Sequence, residues 1–369
     1  MKPLREVIAW LESFAPLHLA EPWDNVGLLL GDHESTIARI MTCLTVTPET
    51  AREAIDRGAQ LIVSHHPILF RPTKRLLASD TANAPVWPLA CAGIAVYSPH
   101  TAFDNCRGGI NDHLAECLGL VSVRPLRTAP PRPAYKIVVF APEADLDAVR
   151  AAAFRAGAGV IGEYTECSFA SAGVGTFFGN DNTNPSVGEP GRRESVAEWR
   201  VEFLAEARVL TPVLSSIRAA HSYEEPAIDV YPLHGGNQDR GVGRVGELPT
   251  PMPLAALVAR ATRAIPSACP SFVGDPGQSI RRVAIACGAG DDFVGDAHKQ
   301  ADVLVTGEAR YHRALEAEAL GVALLTLGHH ATERPGVERL ADRLAQAFPT
   351  LLVWASTSEH DPVQAAPRA

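Results

Sequence analysis

The chain has 369 residues, a formal charge of −9 and a pI near 5.8, with 46% apolar and 20% charged residues. That length predicts two or three domains with substantial cores, and the composition is that of an ordinary globular protein. The acidic balance excludes a duplex-DNA binder relying on phosphate neutralisation. No stretch approaches the ~18 uninterrupted apolar residues of a membrane span.

Residues 3–15 read as an amphipathic helix carrying Glu6 and Glu12, not as a signal peptide. Seven cysteines, odd in number and never spaced C-x-x-C, fit reduced thiols better than a disulfide frame or a structural zinc cluster. A cytoplasmic location is therefore expected. Next comes Glu21-Pro-Trp-Asp-Asn-Val-Gly-Leu28, a polar turn leading into a strand at Leu28–Leu30. Asp24 and Asn25 suit turn formation there, with the lining of a cleft as the other reading.

A strand is predicted over 40–46 and a helix over 48–57, with Pro48 near its first position. Leu61-Ile-Val-Ser-His-His-Pro67 then reads as a buried parallel strand stopped by proline. That puts His65 and His66 at a carboxyl strand end, where open α/β sheets build their sites. Adjacent imidazoles can face two metals, face one metal and a substrate, or simply sit on a surface loop. A helix over 84–92 precedes a strand over 94–97, which exits into Ser98-Pro-His-Thr-Ala-Phe-Asp104. A helix over 109–117 follows. Alternating strands and helices predict a mostly parallel α/β sheet.

Residues 124–133, rich in Arg, Thr and Pro, read as a linker. The next segment predicts strand 135–140, helix 144–156, strand-forming residues within 159–178, strand 198–204, helix 212–220 and strand 227–231. That βαββαβ order is the split-βαβ, ferredoxin-like sandwich. Glycine-rich 235–246 leads out of it. The α/β pattern restarts with helix 253–264, strand 281–286, a helix from about Asp292, strand 301–306, helix 310–320 and strand 322–326. A closing helix over 335–346, a strand over 350–355 and a frayed tail complete the chain. The expected domains are a first lobe 1–127, an insert 128–245 and a second lobe 246–369.

The outer sections resemble each other. Ala59-Gln-Leu-Ile-Val-Ser-His-His66 aligns with Ala301-Asp-Val-Leu-Val-Thr-Gly-Glu308, and Gly93-Ile-Ala-Val-Tyr97 aligns with Gly321-Val-Ala-Leu-Leu325. Each second exit holds a histidine four residues before a carboxylate, His100 with Asp104 and His329 with Glu333. Two matches in the same order predict pseudo-equivalent lobes facing across a cleft. The cleft would collect His65, His66, His100, Asp104, His329, His330 and Glu333, with Glu308 and His312 nearby. This donor set exceeds one tetrahedral site and suits two metals bridged by a carboxylate. Read singly, Asp104 is a cap or turn residue and Glu333 a carboxylate stabilised by a helix N-terminus. Neither reading explains the accompanying histidines.

Other chemistries are poorly represented: the chain has no G-x-x-x-x-G-K-[ST] loop and no G-x-S-x-G elbow. Gly288-Ala-Gly290 follows a strand but misses the G-x-G-x-x-G spacing, so a structural strand-to-helix turn is expected. Cys106 reads as a small buried residue rather than a ligand.

With these residues assembled, the chain resembles the GTP cyclohydrolase 1 type 2-like family, also called the NGG-interacting-factor-three-like family. The motifs that carry it are Pro22-Trp-Asp-Asn-Val-Gly-Leu28, Ile62-Val-Ser-His-His-Pro67, Tyr97-Ser-Pro-His-Thr-Ala-Phe-Asp104, Val305-Thr-Gly-Glu-Ala-Arg-Tyr-His312 and Gly328-His-His-Ala-Thr-Glu-Arg-Pro335. The resemblance implies a dinuclear site built by His65, His66, Asp104, His329 and Glu333. His100 would then either support the ligands from behind or face substrate, and it is the expected proton-transfer group. It also implies a PII/CutA-like insert over 135–233 and a toroidal homohexamer. Thr45, Glu308 and His330 depart from the family's usual residues at their positions.

The expected activity is metal-dependent hydrolysis of a nucleotide or phosphoester by activated water. The alternative is a non-enzymatic, metal-binding or regulatory assembly protein. Mixed His/carboxylate ligation admits two divalent ions of Zn, Fe, Mn, Co or Ni.

Overall fold

Short apolar runs without polar alternation form strands covered on both faces, and such runs build the first of the two parts of this chain. A computed structural model describes residues 1–79, 84–128, 134–162, 164–233 and 241–364. Contacts divide the chain into two compact units, Met1–Ala129 with Gln238–Ala369, and Pro130–Asn237.

The first unit holds two mixed sheets. One runs in the order Leu352–Ala355, Arg39–Cys43, Leu61–Ser64, Ala95–Ser98, Gly27–Leu30, all parallel except the last strand. Leu61–Ser64 and Ala95–Ser98 are buried at every position. The other sheet runs Ser271–Val273, Ala323–Thr326, Val303–Thr306, Ser279–Ala286, Arg244–Pro253, Val121–Arg124. Its Ala323–Thr326, Val303–Thr306 and Ser279–Ala286 strands are parallel, and those outside them run antiparallel.

Three sequence expectations change here. The last strand, expected within 246–369, adds to the sheet built from residues 27–98. Val121–Arg124, which runs into the start of the expected linker, is a strand on the other sheet, paired to Arg244–Pro253, and Arg127–Thr128 within that linker pairs with Gly241–Val242. Chain order suggests neighbours, but an open sheet edge accepts any strand that can reach it and satisfy its backbone groups. Thirdly, the closing helix spans His329–Ala347 and starts six residues before Pro335, which lies inside it. Proline normally marks a first turn or a break, which is why the sequence points to a later start.

The second unit consists of Ala134–Ala141, helix Leu146–Arg155, Ser168–Phe178, Arg193–Glu206, helix Ala207–Ala220 and Ile228–Leu233. Its antiparallel sheet places the second strand at one edge, then the third, the first and the fourth, which is the split-βαβ arrangement. Ile137, Val139, Val201 and Phe203 on the sheet pack with Val149, Val213 and Ile217 of the two helices. Among the described residues, no helix is long and apolar enough to cross a membrane.

Candidate metal centre

The histidine pair leaves its strand with its backbone still held. His65 N–H donates to the Cys43 carbonyl at 3.0 Å and His66 N–H to the Leu44 carbonyl at 2.8 Å. Ser98 Oγ donates to the His65 carbonyl at 2.6 Å. Pro67 then ends the strand. On the neighbouring strand, Pro99 leads into the short helix His100–Asn105, whose first residue has φ +30°. Left-handed backbone at a non-glycine residue is strained and clusters at functional sites. Asp104 lies one helical turn beyond His100. From the other sheet, Gly328 opens the helix His329–Ala347, and the i,i+4 spacing puts His329 and Glu333 on one face.

These side chains converge. Glu333 Oε2 lies 3.2 Å from His66 Nε2 and 3.1 Å from His329 Nε2, and its Oε1 lies 3.8 Å from His65 Nε2. Asp104 Oδ1 is 3.5 Å from His65 Nε2. The His100 ring centroid is 5.2 Å from that of His65 and 5.7 Å from that of His66. The far nitrogens are fixed by outer partners. His66 Nδ1 meets Thr45 Oγ1 at 2.7 Å, His329 Nδ1 donates to Glu308 Oε1 at 2.9 Å, and His100 Nδ1 donates to Asp24 Oδ1 at 2.7 Å. Partners of this kind set ring orientation and tautomer at metal sites.

Burial drives the electrostatics. Desolvation pushes the Asp104 carboxyl up to about 8 and the His65 imidazole well down. Glu333 is desolvated as well, but contacts with His329 and His66 outweigh this and hold it below the ordinary carboxylate range. Its carboxylate in turn raises His329 to about 9, with Glu308 adding to the effect. Among the described residues, both nitrogens of His65 and Asp104 Oδ1 are buried with no hydrogen-bond partner. Buried acceptors without donors are costly, and a cation is the partner their chemistry lacks. The donor set therefore fits a metal: His65, His66 and His100 form one group able to hold an ion, and His66, His329 and Glu333 form another.

Of the residues expected in the cleft, His65, His66, His100, Asp104, His329 and Glu333 are brought together, whereas His330 lines a different cavity with Leu44, Glu359 and His360. His312 is also outside the cluster; it sits exposed near the start of helix Tyr311–Leu320. Cys106 is buried, and burial pushes its thiol up to about 12. Gly288 does more than form the expected turn. At φ +64° it passes so close that a Cβ would stand 2.1 Å from Glu333 Oε1.

Asp24, expected to form a turn, has a fully buried carboxylate. It accepts from His100 Nδ1, from Thr101 N–H at 3.1 Å and from Thr101 Oγ1. Nothing local in the sequence separates this role from an Asx turn, because its partners lie 76 and 77 residues away. A cavity of about 360 Å³ opens onto the cluster, lined by Trp23, His66, His100, Asp104, Cys287, Phe293, His329 and Glu333 among others.

A histidine–carboxylate cluster drawn from the strand ends of two α/β sheets defines a protein with residues placed to hold a metal ion. The chain belongs to the Duf34/NIF3 (NGG1p interacting factor 3) family, whose model matches residues 2–362. It is 36% identical over 342 residues to a protein of Halalkalibacterium halodurans named GTP cyclohydrolase 1 type 2 homolog, covering 92% of each chain. A protein of the same name from Mycobacterium tuberculosis is 37% identical over 350 residues, covering 94% of this chain and 92% of the relative. Among solved structures, a Bacillus cereus protein related to NIF3 matches with a TM-score of 0.80 and 33% identity, covering 98% of this chain and 99% of that one.

Proposed function

We propose that the chain is a dinuclear metal-dependent hydrolase acting on a nucleotide or phosphoester. The observation that carries this reading is the cluster of nitrogen and carboxylate donors around Glu333, in which buried His65 and Asp104 Oδ1 lack hydrogen-bond partners. His65, His66, Asp104, His329 and Glu333 would hold two divalent ions; the Glu333 oxygens face His65 on one side and His66 and His329 on the other. Such ions, when bound, lower the pKa of water and act as Lewis acids toward a carbonyl or phosphoryl oxygen.

The remaining chemistry belongs to the side chains. Asp24 fixes His100 as the Nδ1–H tautomer, which leaves Nε2 to take and return a proton. His65, at 2% exposure, is shielded from bulk water. The name shared by the relatives supports a nucleotide substrate.

The split-βαβ unit is proposed to be a PII/CutA-like insert between two pseudo-equivalent lobes, and to assemble copies of the chain into a homohexamer. Support comes from Phe169 and Tyr231, exposed by 62% and 50% on the sheet face away from the helices. A cytoplasmic location is supported by seven cysteines that form no disulfide.

The test is metal content per chain by elemental analysis, followed by turnover on a panel of GTP and phosphoesters. About two metals, lost in both His65→Ala and Glu333→Ala, together with turnover abolished in His100→Ala, are the expected results. No metal after reconstitution would overturn the reading. Metal without turnover would leave a metal-binding assembly protein.

A further inference from the structure

Two large aromatic side chains beside the cluster belong to none of the hydrophobic cores. Trp23 is 62% exposed and Phe70 46% exposed. Their rings meet edge-to-face at 6.0 Å, and each also meets His100 edge-on, at 6.2 Å for Trp23 and 6.3 Å for Phe70. The three rings form an open corner with His100 at its base. The two loops that carry the aromatics are joined by one hydrogen bond, from Asn25 Nδ2 to the Leu69 carbonyl at 2.5 Å. Asp24, the residue between Trp23 and Asn25, is bonded to His100 and Thr101. The corner is therefore braced against the cluster and is not a pair of loose surface residues.

Solvent-exposed indole and phenyl rings held in fixed positions offer flat, polarizable faces. Such faces suit a planar ring, because stacking needs no particular donor pattern and works in partly hydrated surroundings. They offer nothing to a bare phosphate. Trp23 also lines the cavity that reaches Asp104 and Glu333, so a ring resting on it would sit with one edge toward His100.

We propose that Trp23 and Phe70 form a stacking subsite for a planar heteroaromatic ring, so that the substrate of the metal centre is a nucleobase-like heterocycle and not a simple phosphoester. This rests on the metal-hydrolase reading for its catalytic meaning, but ring binding can be measured without turnover.

The experiment is equilibrium dialysis of the full-length, metal-reconstituted chain against guanosine, cytidine and nicotinamide, with ribose 5-phosphate as the ringless probe. Metal content is measured on the same samples. The expected result is that at least one ring compound binds more tightly than ribose 5-phosphate. Its affinity falls about tenfold or more in Trp23→Ala, falls in Phe70→Ala, and is largely retained in Trp23→Phe. Metal content stays at the wild-type level throughout, as neither residue is a ligand. Binding of every ring compound unchanged by Trp23→Ala, no ring binding at all, or ribose 5-phosphate binding as tightly as the rings would each overturn the subsite. Those outcomes with full metal content would leave the metal centre standing, whereas absent metal would count against the hydrolase reading alone.

Discussion

Asp24 shows how one buried carboxylate can hold a site together without touching its reacting atoms. Three donors converge on it. Replacing it with alanine leaves His100 Nδ1, Thr101 N–H and Thr101 Oγ1 to find new partners in a buried place. An unmade buried hydrogen bond costs about 1–3 kcal/mol. Asp24→Ala should therefore lower stability by roughly 2–4 kcal/mol in urea unfolding, and ring nitrogen shifts should report loss of the fixed His100 tautomer. Gly288 is the second sensitive residue. Alanine there must adopt φ +64° and place its Cβ against Glu333 Oε1. The backbone strain alone is about 1–2 kcal/mol. Gly288→Ala should lower both the thermal midpoint and the metal retained through dialysis. A variant that unfolds earlier but keeps its metal would show that Glu333 has room to move.

At the scale of elements, the strand Leu352–Ala355 stays on its sheet partly because of Glu53. This carboxylate accepts from Ser356 Oγ at 2.6 Å, Ser358 N–H at 3.0 Å and Trp354 Nε1 at 3.1 Å, and pairs with Arg57 at 3.0 Å. The start of the tail, expected to be frayed, is thus anchored. Burial alone would raise the Glu53 carboxyl, but these hydrogen bonds overcome it and hold it at about 2, below the model-peptide 4.5. A folded-state pKa below the unfolded one means that the unfolded chain binds the proton more readily. The stabilisation is then complete above about pH 4.5 and is lost as pH falls toward 2. Glu53→Gln should be less stable than the parent at pH 7, with the difference shrinking across that window in urea melts at stepped pH. A constant difference would mean that packing, not charge, holds the last strand.

At the scale of the whole first unit, the two halves are interlocked: each sends a strand to the sheet of the other. Buried Arg244 adds a further tie. It pairs with Asp112 at 2.6 Å and donates to the Cys106 carbonyl at 2.6 Å, just beyond Asp104. The sequence made the parallel strands and the histidine exits legible because apolar runs stopped by proline or glycine are local signals. The exchanged edge strands, the Asp24–His100 bond and the early helix start at His329 depend on partners distant in the chain or override a local proline signal, so no window of sequence contains them.

The same interlocking makes a final prediction. His65, His66 and Asp104 come from one half, and His329 and Glu333 from the other, so ions held by the proposed set would tie the halves in the folded state alone. Ligand at about 100 times its Kd stabilises by about 2.7 kcal/mol, which for a unit of this size is roughly 5–10 °C. Adding Zn²⁺ or Mn²⁺ to metal-stripped protein should raise the first-unit melting transition by that much, and Glu333→Ala should abolish the shift. A shift that survives in Glu333→Ala would place the stabilising ion elsewhere.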